Sequence, residues 1–234
     1  DLFPDFLLAE TVALSVDTLE SGWLANDGAG HFTWTPLPAL AQLAPGFGLA
    51  LEDLNGDGAV DIVMSQNFYG PQPETGRFDG GLGQVLLGDG RGHFSPLPPW
   101  RSGLRVTGDG KGLAVTDFDG DAWPDLLVGV NSGPLHAFYN LRNPTGRMVS
   151  VDLVGPPGNP SAIGARVELT RPGGRREVAE VSAGGGYLAQ HTTTLRFGLG
   201  DQAGARRLQV RWPDGEVTRH ELPADVVRAV LRRE

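Results

Sequence analysis

The sequence predicts an all-β fold, and three observations carry that prediction. Glycine and proline are abundant, at 35 and 18 of 234 residues, helical periodicity is scarce, and a strand-and-turn signature recurs at a fixed interval. Short apolar runs separated by tight turns are the pattern of a chain built from small sheets. A hydrophobic content of 40% is enough for a packed core. No apolar run approaches the ~20 residues that a membrane-spanning helix needs.

The recurring signature organises the first half. The run from Gly48 to Met64 aligns without a gap with the run from Gly112 to Val128, at an offset of 64. A second element, Asn26-Asp-Gly-Ala-Gly-His-Phe32, returns as Gly88-Asp-Gly-Arg-Gly-His-Phe94 at an offset of 62. Self-similarity of this period in a β-rich chain marks a repeat architecture with one four-stranded sheet per repeat. Strands are expected at 49–51, 62–64, 84–87, from 93, and at 113–116, 126–130 and 135–139. The first repeat is only half present, because its Asp-Gly turn has no acidic loop before it. Asp27-Gly28 and Asp89-Gly90 are expected to be hairpin turns, where Asp and Gly accept unusual φ values. His31 and His93 occupy equivalent places in them, which points to a structural role.

A boundary is expected near Asn143-Pro-Thr-Gly146, giving a first region over 1–145 and a second over 146–234. The first region holds 18 acidic and 6 basic residues, net −12, and the second 10 and 13, net +3. Beyond the boundary the repeat disappears. Strands are expected at 149–154, 165–170, 177–181, 195–198, 207–210 and 216–220, which reads as a small antiparallel sandwich. Residues 223–232 are expected to form a terminal helical turn opened by Pro223. The chain opens Asp-Leu-Phe-Pro with neither an initiator Met nor a signal peptide, so a processed product or a piece of a longer precursor is expected.

The two acidic loops carry the chemistry. In the first, Asp53, Asn55 and Asp57 alternate, Gly56 and Gly58 permit a sharp backbone path, and Asp61 closes the loop from the next strand. The Ala59 carbonyl fills the intervening position. The second offers Asp117, Asp119, Asp121 and Asp125, with the Trp123 carbonyl in the same place. Calcium takes six to eight hard oxygens and several carboxylates, and these loops supply that donor type. An EF-hand opens with the same pattern but needs flanking helices and a Glu at loop position twelve, where this chain has Met64 and Val128. Without a cation, so many carboxylates in one turn repel one another. Two structural Ca2+ sites between strands are therefore expected. All ligands come from one tight loop each, which leaves little room for a substrate on the metal.

Other chemistry is poorly represented. Cysteine is absent, which excludes disulfides, thiolate zinc sites and thiol catalysis. The five histidines form no metal-spaced pair, and no Gly-x-Ser-x-Gly, phosphate-loop or dinucleotide motif occurs. A glycosidase-like carboxylate pair remains an alternative because aspartates abound. A net charge of −9 argues against nucleic acid as a partner. Trp34, Trp100, Trp123 and Trp212 lie in or beside turns, as packing anchors or as platforms for sugars. The Gly/Pro-rich insertion over 66–83 is the long loop of the first half. Its Phe68, Tyr69, Arg77 and Phe78 are candidate partner-binding residues.

The loops, the Asp-Gly-x-Gly-His-Phe turn and the period resemble the FG-GAP/VCBS repeats of integrin-α-like β-propellers over roughly 14–140. The second half resembles the UnbV/ASPIC domain through Gly164-Ala-Arg-Val167, Ser182-Ala-Gly-Gly-Gly-Tyr187, Phe197-Gly-Leu-Gly200 and Val210-Arg-Trp-Pro-Asp-Gly215. The two in this order are similar to bacterial relatives of the cartilage acidic protein family. That resemblance implies a partial β-propeller of about two blades followed by the small β domain, calcium-stabilised scaffolding, no established catalysis, and export to the periplasm or cell exterior. Propellers of this type close with more blades. Open sheet edges then need cover from a protein partner or from N-terminal blades. A carbohydrate-binding module and a hydrolase-associated domain are the alternatives.

Overall fold

The computed structural model describes residues 11–12, 14–200, 204 and 206–233. Residues 1–10 of the expected first region lie outside this set. Nearly all regular structure is β, in several sheets, none of them closed into a barrel. No helix among the described residues is long and apolar enough to cross a membrane.

The chain divides into two units, one ending at Leu37 and one beginning at Pro38. In the first, β1 (Gly22–Asn26) and β2 (Phe32–Pro36) form an antiparallel hairpin. The side chain of Asp27 builds its turn. It accepts the backbone N–H of Ala29 at 2.7 Å and of His31 at 3.1 Å, and meets His31 Nδ1 at 2.9 Å. Asp89 repeats the arrangement, with Arg91 N at 2.7 Å, His93 N at 3.1 Å and His93 Nδ1 at 3.0 Å. The two motifs are hairpin turns held by an aspartate, as their sequence predicts.

The second unit opens with a 3₁₀ turn, Ala39–Gln42. A four-stranded meander follows, β3 (Gly46–Glu52), β4 (Asp61–Gln66), β5 (Gln84–Gly88) and β6 (Phe94–Leu97). A short helix, α1 (Pro99–Ser102), leads to a three-stranded sheet of β7 (Gly110–Thr116), β8 (Asp125–Val130) and β9 (Leu135–Phe138). The two sheets repeat each other in detail. The β3–β4 register shifts between Gly46 and Leu49, and the β7–β8 register shifts between Gly110 and Leu113, at the offset of 64 that the sequence shows.

They pack face to face. Ala50, Val63 and Val85 of the first sheet meet Leu113, Val115, Leu126 and Val128 of the second, with Leu104 and Val106 from the connection completing the core. The alternation along β3, where Gly48 and Ala50 are buried and Leu49 and Leu51 exposed, sets which face turns inward. Gly48 permits the close approach, since a Cβ there would lie 2.6 Å from Lys111 O. Ser65 Oγ bridges the sheets, accepting Gly48 N–H at 2.9 Å and donating to Lys111 O at 2.6 Å.

The remainder forms two further sheets around one core. β10 (Met148–Val154) lies between β13 (Leu195–Gly198) and β16 (Arg228–Arg232). β11 (Arg166–Thr170), β12 (Arg176–Glu180), β14 (Arg206–Arg211) and β15 (Val217–Leu222) pair in the order β12-β11-β14-β15. Val149, Val151, Val167, Leu169, Phe197, Leu208, Val210 and Trp212 fill the space between them. Trp212 is buried, and its Nε1 donates to Thr218 Oγ1 at 3.0 Å across the Trp-Pro-Asp-Gly turn.

One expectation fails here. The end of the chain is not a helical turn, because Arg228–Arg232 is a strand that pairs parallel to β10. Its residues alternate, with Ala229 and Leu231 buried and the flanking residues exposed, which is the period of a strand edge on a core. The β10–β16 pair also makes this sheet mixed and not purely antiparallel.

Candidate metal centre

Both acidic loops lie between strands, residues 53–61 joining β3 to β4 and residues 117–125 joining β7 to β8. Each is wound by its own carboxylates. In the first, Asp53 accepts Gly56 N–H at 2.7 Å and Gly58 N–H at 2.6 Å. Asn55 Oδ1 accepts Asp57 N–H at 3.0 Å, and Asp57 accepts Ala59 N–H at 2.7 Å. In the second, Asp117 accepts Gly120 N–H at 2.8 Å and Ala122 N–H at 3.1 Å, Asp119 accepts Asp121 N–H at 3.2 Å, and Asp121 accepts Trp123 N–H at 2.8 Å.

The closing aspartates are matched too. Asp61 accepts Leu54 N–H and Gly88 N–H, both at 2.9 Å, and Asp125 accepts Phe118 N–H at 2.8 Å and Asn140 N–H at 2.7 Å. Burial pushes Asp61 up to about 7, against the two backbone N–H groups that stabilise its charge, with Asp53 and Asp57 adding repulsion. Burial also raises Asp125, with Asp119 and Asp121 adding to it. A carboxylate whose charge is resisted by burial and by its neighbours is one that a cation would relieve.

The loops differ in what they gather. Carboxylate oxygens of Asp117, Asp119 and Asp125 lie within 4.8 Å of one another, a cluster able to hold a metal ion. The equivalent trio of the first loop is Asp53, Asn55 and Asp61, with two carboxylates and an amide. There the Asn55 Nδ2 donates to Asp57 Oδ2 at 3.0 Å. Asp121 stands outside the trio of the second loop and is ion-paired with Arg142. Ala122 carries a left-handed φ of 73°, where the first loop has Gly58 at 89°. The second loop thus bears a local strain that the first avoids.

Loop 1 is also covered. Gly56 O accepts Gly200 N–H at 2.8 Å and Arg147 N–H at 3.3 Å, and Gly58 O accepts Arg175 at 2.8 Å. Gly198 lies against Asp53, and a Cβ at residue 198 would overlap Asp53 Oδ2. The buried Arg171 is ion-paired with Glu177 and lies against Gly58. The Trp123 ring reaches both Gly56 and Gly146. Asn140 ties the loops together, its Nδ2 donating to Leu54 O at 2.8 Å and Pro124 O at 3.3 Å. Apart from Trp123, none of these supporting residues stands out by residue type. The glycines of Phe197-Gly-Leu-Gly200 were the one available signal, since Gly often marks a close backbone approach.

The other candidates are placed differently. Phe68 packs on Phe47 with ring centroids 5.7 Å apart, and its backbone bridges to Phe78. Arg77 lies over the Tyr69 ring at 4.5 Å. Phe68 is thus partly committed to internal packing, while Phe78 is 44% exposed. Of the tryptophans in or beside turns, Trp123 and Trp212 are buried, and Trp34 and Trp100 are exposed.

Comparison with known proteins adds to this picture. Residues 155–229 match the family model described as ASPIC and UnbV. Cartilage acidic protein 1 of Xenopus tropicalis is 33% identical over 130 residues, covering 53% of this chain and 19% of that protein. The proteins of the same name from Mus musculus and Homo sapiens are each 31% identical, over 135 and 134 residues, covering 55% of this chain and 20% of each. The chain therefore spans about a fifth of the length of the curated relatives it matches.

Proposed function

We propose that this chain is a non-enzymatic, calcium-stabilised interaction or scaffolding module, exported and held against other polypeptide. The observation that carries the reading is the carboxylate cluster of Asp117, Asp119 and Asp125, set in a loop whose partner lies 64 residues earlier in the chain. Calcium suits a donor set rich in carboxylates, whereas magnesium prefers few carboxylates and retained water. Asp117, Asp119, Asp121, Asp125 and the Trp123 carbonyl would hold one ion. Asp53, Asn55, Asp57, Asp61 and the Ala59 carbonyl would hold the other. The ion supplies positive charge to crowded carboxylates. Its role is structural, because every protein ligand of each ion comes from one tight loop.

The paired sheets support a partial propeller of FG-GAP/VCBS type, one blade of four strands and one of three. Among the described residues β9 pairs only with β8, while its counterpart β5 is flanked on both sides. The outward face of the three-stranded sheet presents Leu135 and Ala137, exposed where the counterpart Val85 is buried. Such an edge and face need cover from a partner or from further blades. An exported setting agrees with relatives named for cartilage.

Scanning calorimetry with and without chelator tests the metal claim. Calcium at a hundred times its dissociation constant stabilises a single-site protein by about 2.7 kcal/mol, so the melting temperature should rise by several degrees. An unchanged melting temperature would overturn the structural role.

A further inference from the structure

The C-terminal sheets reach the two repeat sheets through a second contact, made by the segment over 184–192 between β12 and β13. Thr192 N–H donates to Val115 O at 3.0 Å, and Val115 N–H donates to His191 Nδ1 at 3.1 Å. These are the groups of β7 on the edge that β8 does not use. The Leu49 backbone on β3 acts on the same ring, favouring its protonated form. The Tyr187 ring meets Phe47 edge-on at 5.1 Å, and the backbone oxygens of Tyr187 and Leu188 lie beside Gly112. The segment therefore reaches the first strands of both repeat sheets, β7 through His191 and Thr192 and β3 through Tyr187.

The chemistry of that bond is particular. A peptide N–H can donate to Nδ1 only when Nδ1 carries a lone pair, so the ring is neutral with its proton on Nε2. Protonation of Nδ1 would set two donors against each other. The charged surroundings give no relief. From β13 the facing group is the cation Arg196. Glu52, at the end of β3, is raised to about 7 by burial, an effect that Arg196 opposes. From β7 the Val115 backbone meets the ring, and Lys111 is held elsewhere by Asp109 and by the Asn67 carbonyl at 2.8 Å.

We propose that His191 is a pH-operated latch, which when neutral pins the 184–192 segment across β3 and β7 and when protonated releases it. Burial holds the imidazole below its ordinary range, and Arg196 adds to the effect, against the Leu49 backbone. Because the docked ring resists its proton, the latch is at full strength above the free imidazole value of about 6.5 and weakens as pH falls below it.

Hydrogen exchange of the whole chain, in calcium buffer at pH 7.5 and pH 5.5 and corrected for intrinsic rates, tests this. Linkage sets the expected rise in opening of the 112–116 and 184–192 peptides at up to about tenfold at the lower pH. The sandwich core peptides should not change. His191→Asn places an amide oxygen near the Nδ1 position without a titrating group, and should abolish the pH dependence. His191→Ala should exchange rapidly in these peptides at both values. Equal protection of the wild-type peptides at the two pH values, or a pH response that persists in His191→Asn, would overturn the proposal. Should His191→Ala fail to fold, the other two comparisons still decide.

Discussion

Asp53 and Gly198 meet so closely that a Cβ on residue 198 would overlap the Asp53 carboxylate. The opening aspartate of loop 1 and the last residue of β13 are thus neighbours across more than half the chain. Gly198→Ala should push the two apart. Overpacking of this kind costs about 1–3 kcal/mol, which calorimetry would register as a fall of several degrees in melting temperature. Gly158→Ala is the control, since nothing lies within 4 Å of its added Cβ.

Ser65 carries a polar link between the repeat sheets. Ser65→Ala leaves Gly48 N–H and Lys111 O without their bridging hydroxyl. The expected loss is about 1–3 kcal/mol by denaturant unfolding, because buried groups lose their partners. A cost within about 0.5 kcal/mol, typical of exposed sites, would mean that water replaces the hydroxyl.

Arg171 is buried beside loop 1 and paired with Glu177. Arg171→Ala removes one member and leaves Glu177 with only the influence of Arg175, a change worth up to about 3 kcal/mol. Burial already raises Glu177, an effect that Arg171 opposes. Arg171→Ala paired with Glu177→Gln should recover part of the loss, which a double-mutant cycle would measure.

Much of the fold is legible in the residues because the repeat is. The alignment of Gly48–Met64 with Gly112–Val128 predicts two equivalent strand–loop–strand units, and the matched register shifts at Gly46 and Gly110 show that backbone detail follows it. Asp27 and Asp89 make the same turn for the same reason. The strand Arg228–Arg232 was not legible, because a Pro followed by Val, Ala and Leu reads equally as a helix start. Its pairing with β10, far away in sequence, decides the matter. The environment of the loops was hidden too. Nothing in Arg147 or Arg171 signals that they cover loop 1, since that contact depends on how the two halves of the chain pack. Even the two loops are less alike than their spacing suggests, because Asn55 stands where the second loop has Asp119.

Calcium titration calorimetry on metal-free protein, wild type beside Asp119→Ala, tests the central claim most directly. Asp119 is exposed, and its recorded bond is to a backbone N–H within its own loop, so its loss should leave the fold intact. Saturable binding in the wild type, with the contribution of the second loop lost in the variant, is the predicted result. Superimposable titrations of the two proteins, or no calcium heat from either, would contradict the account.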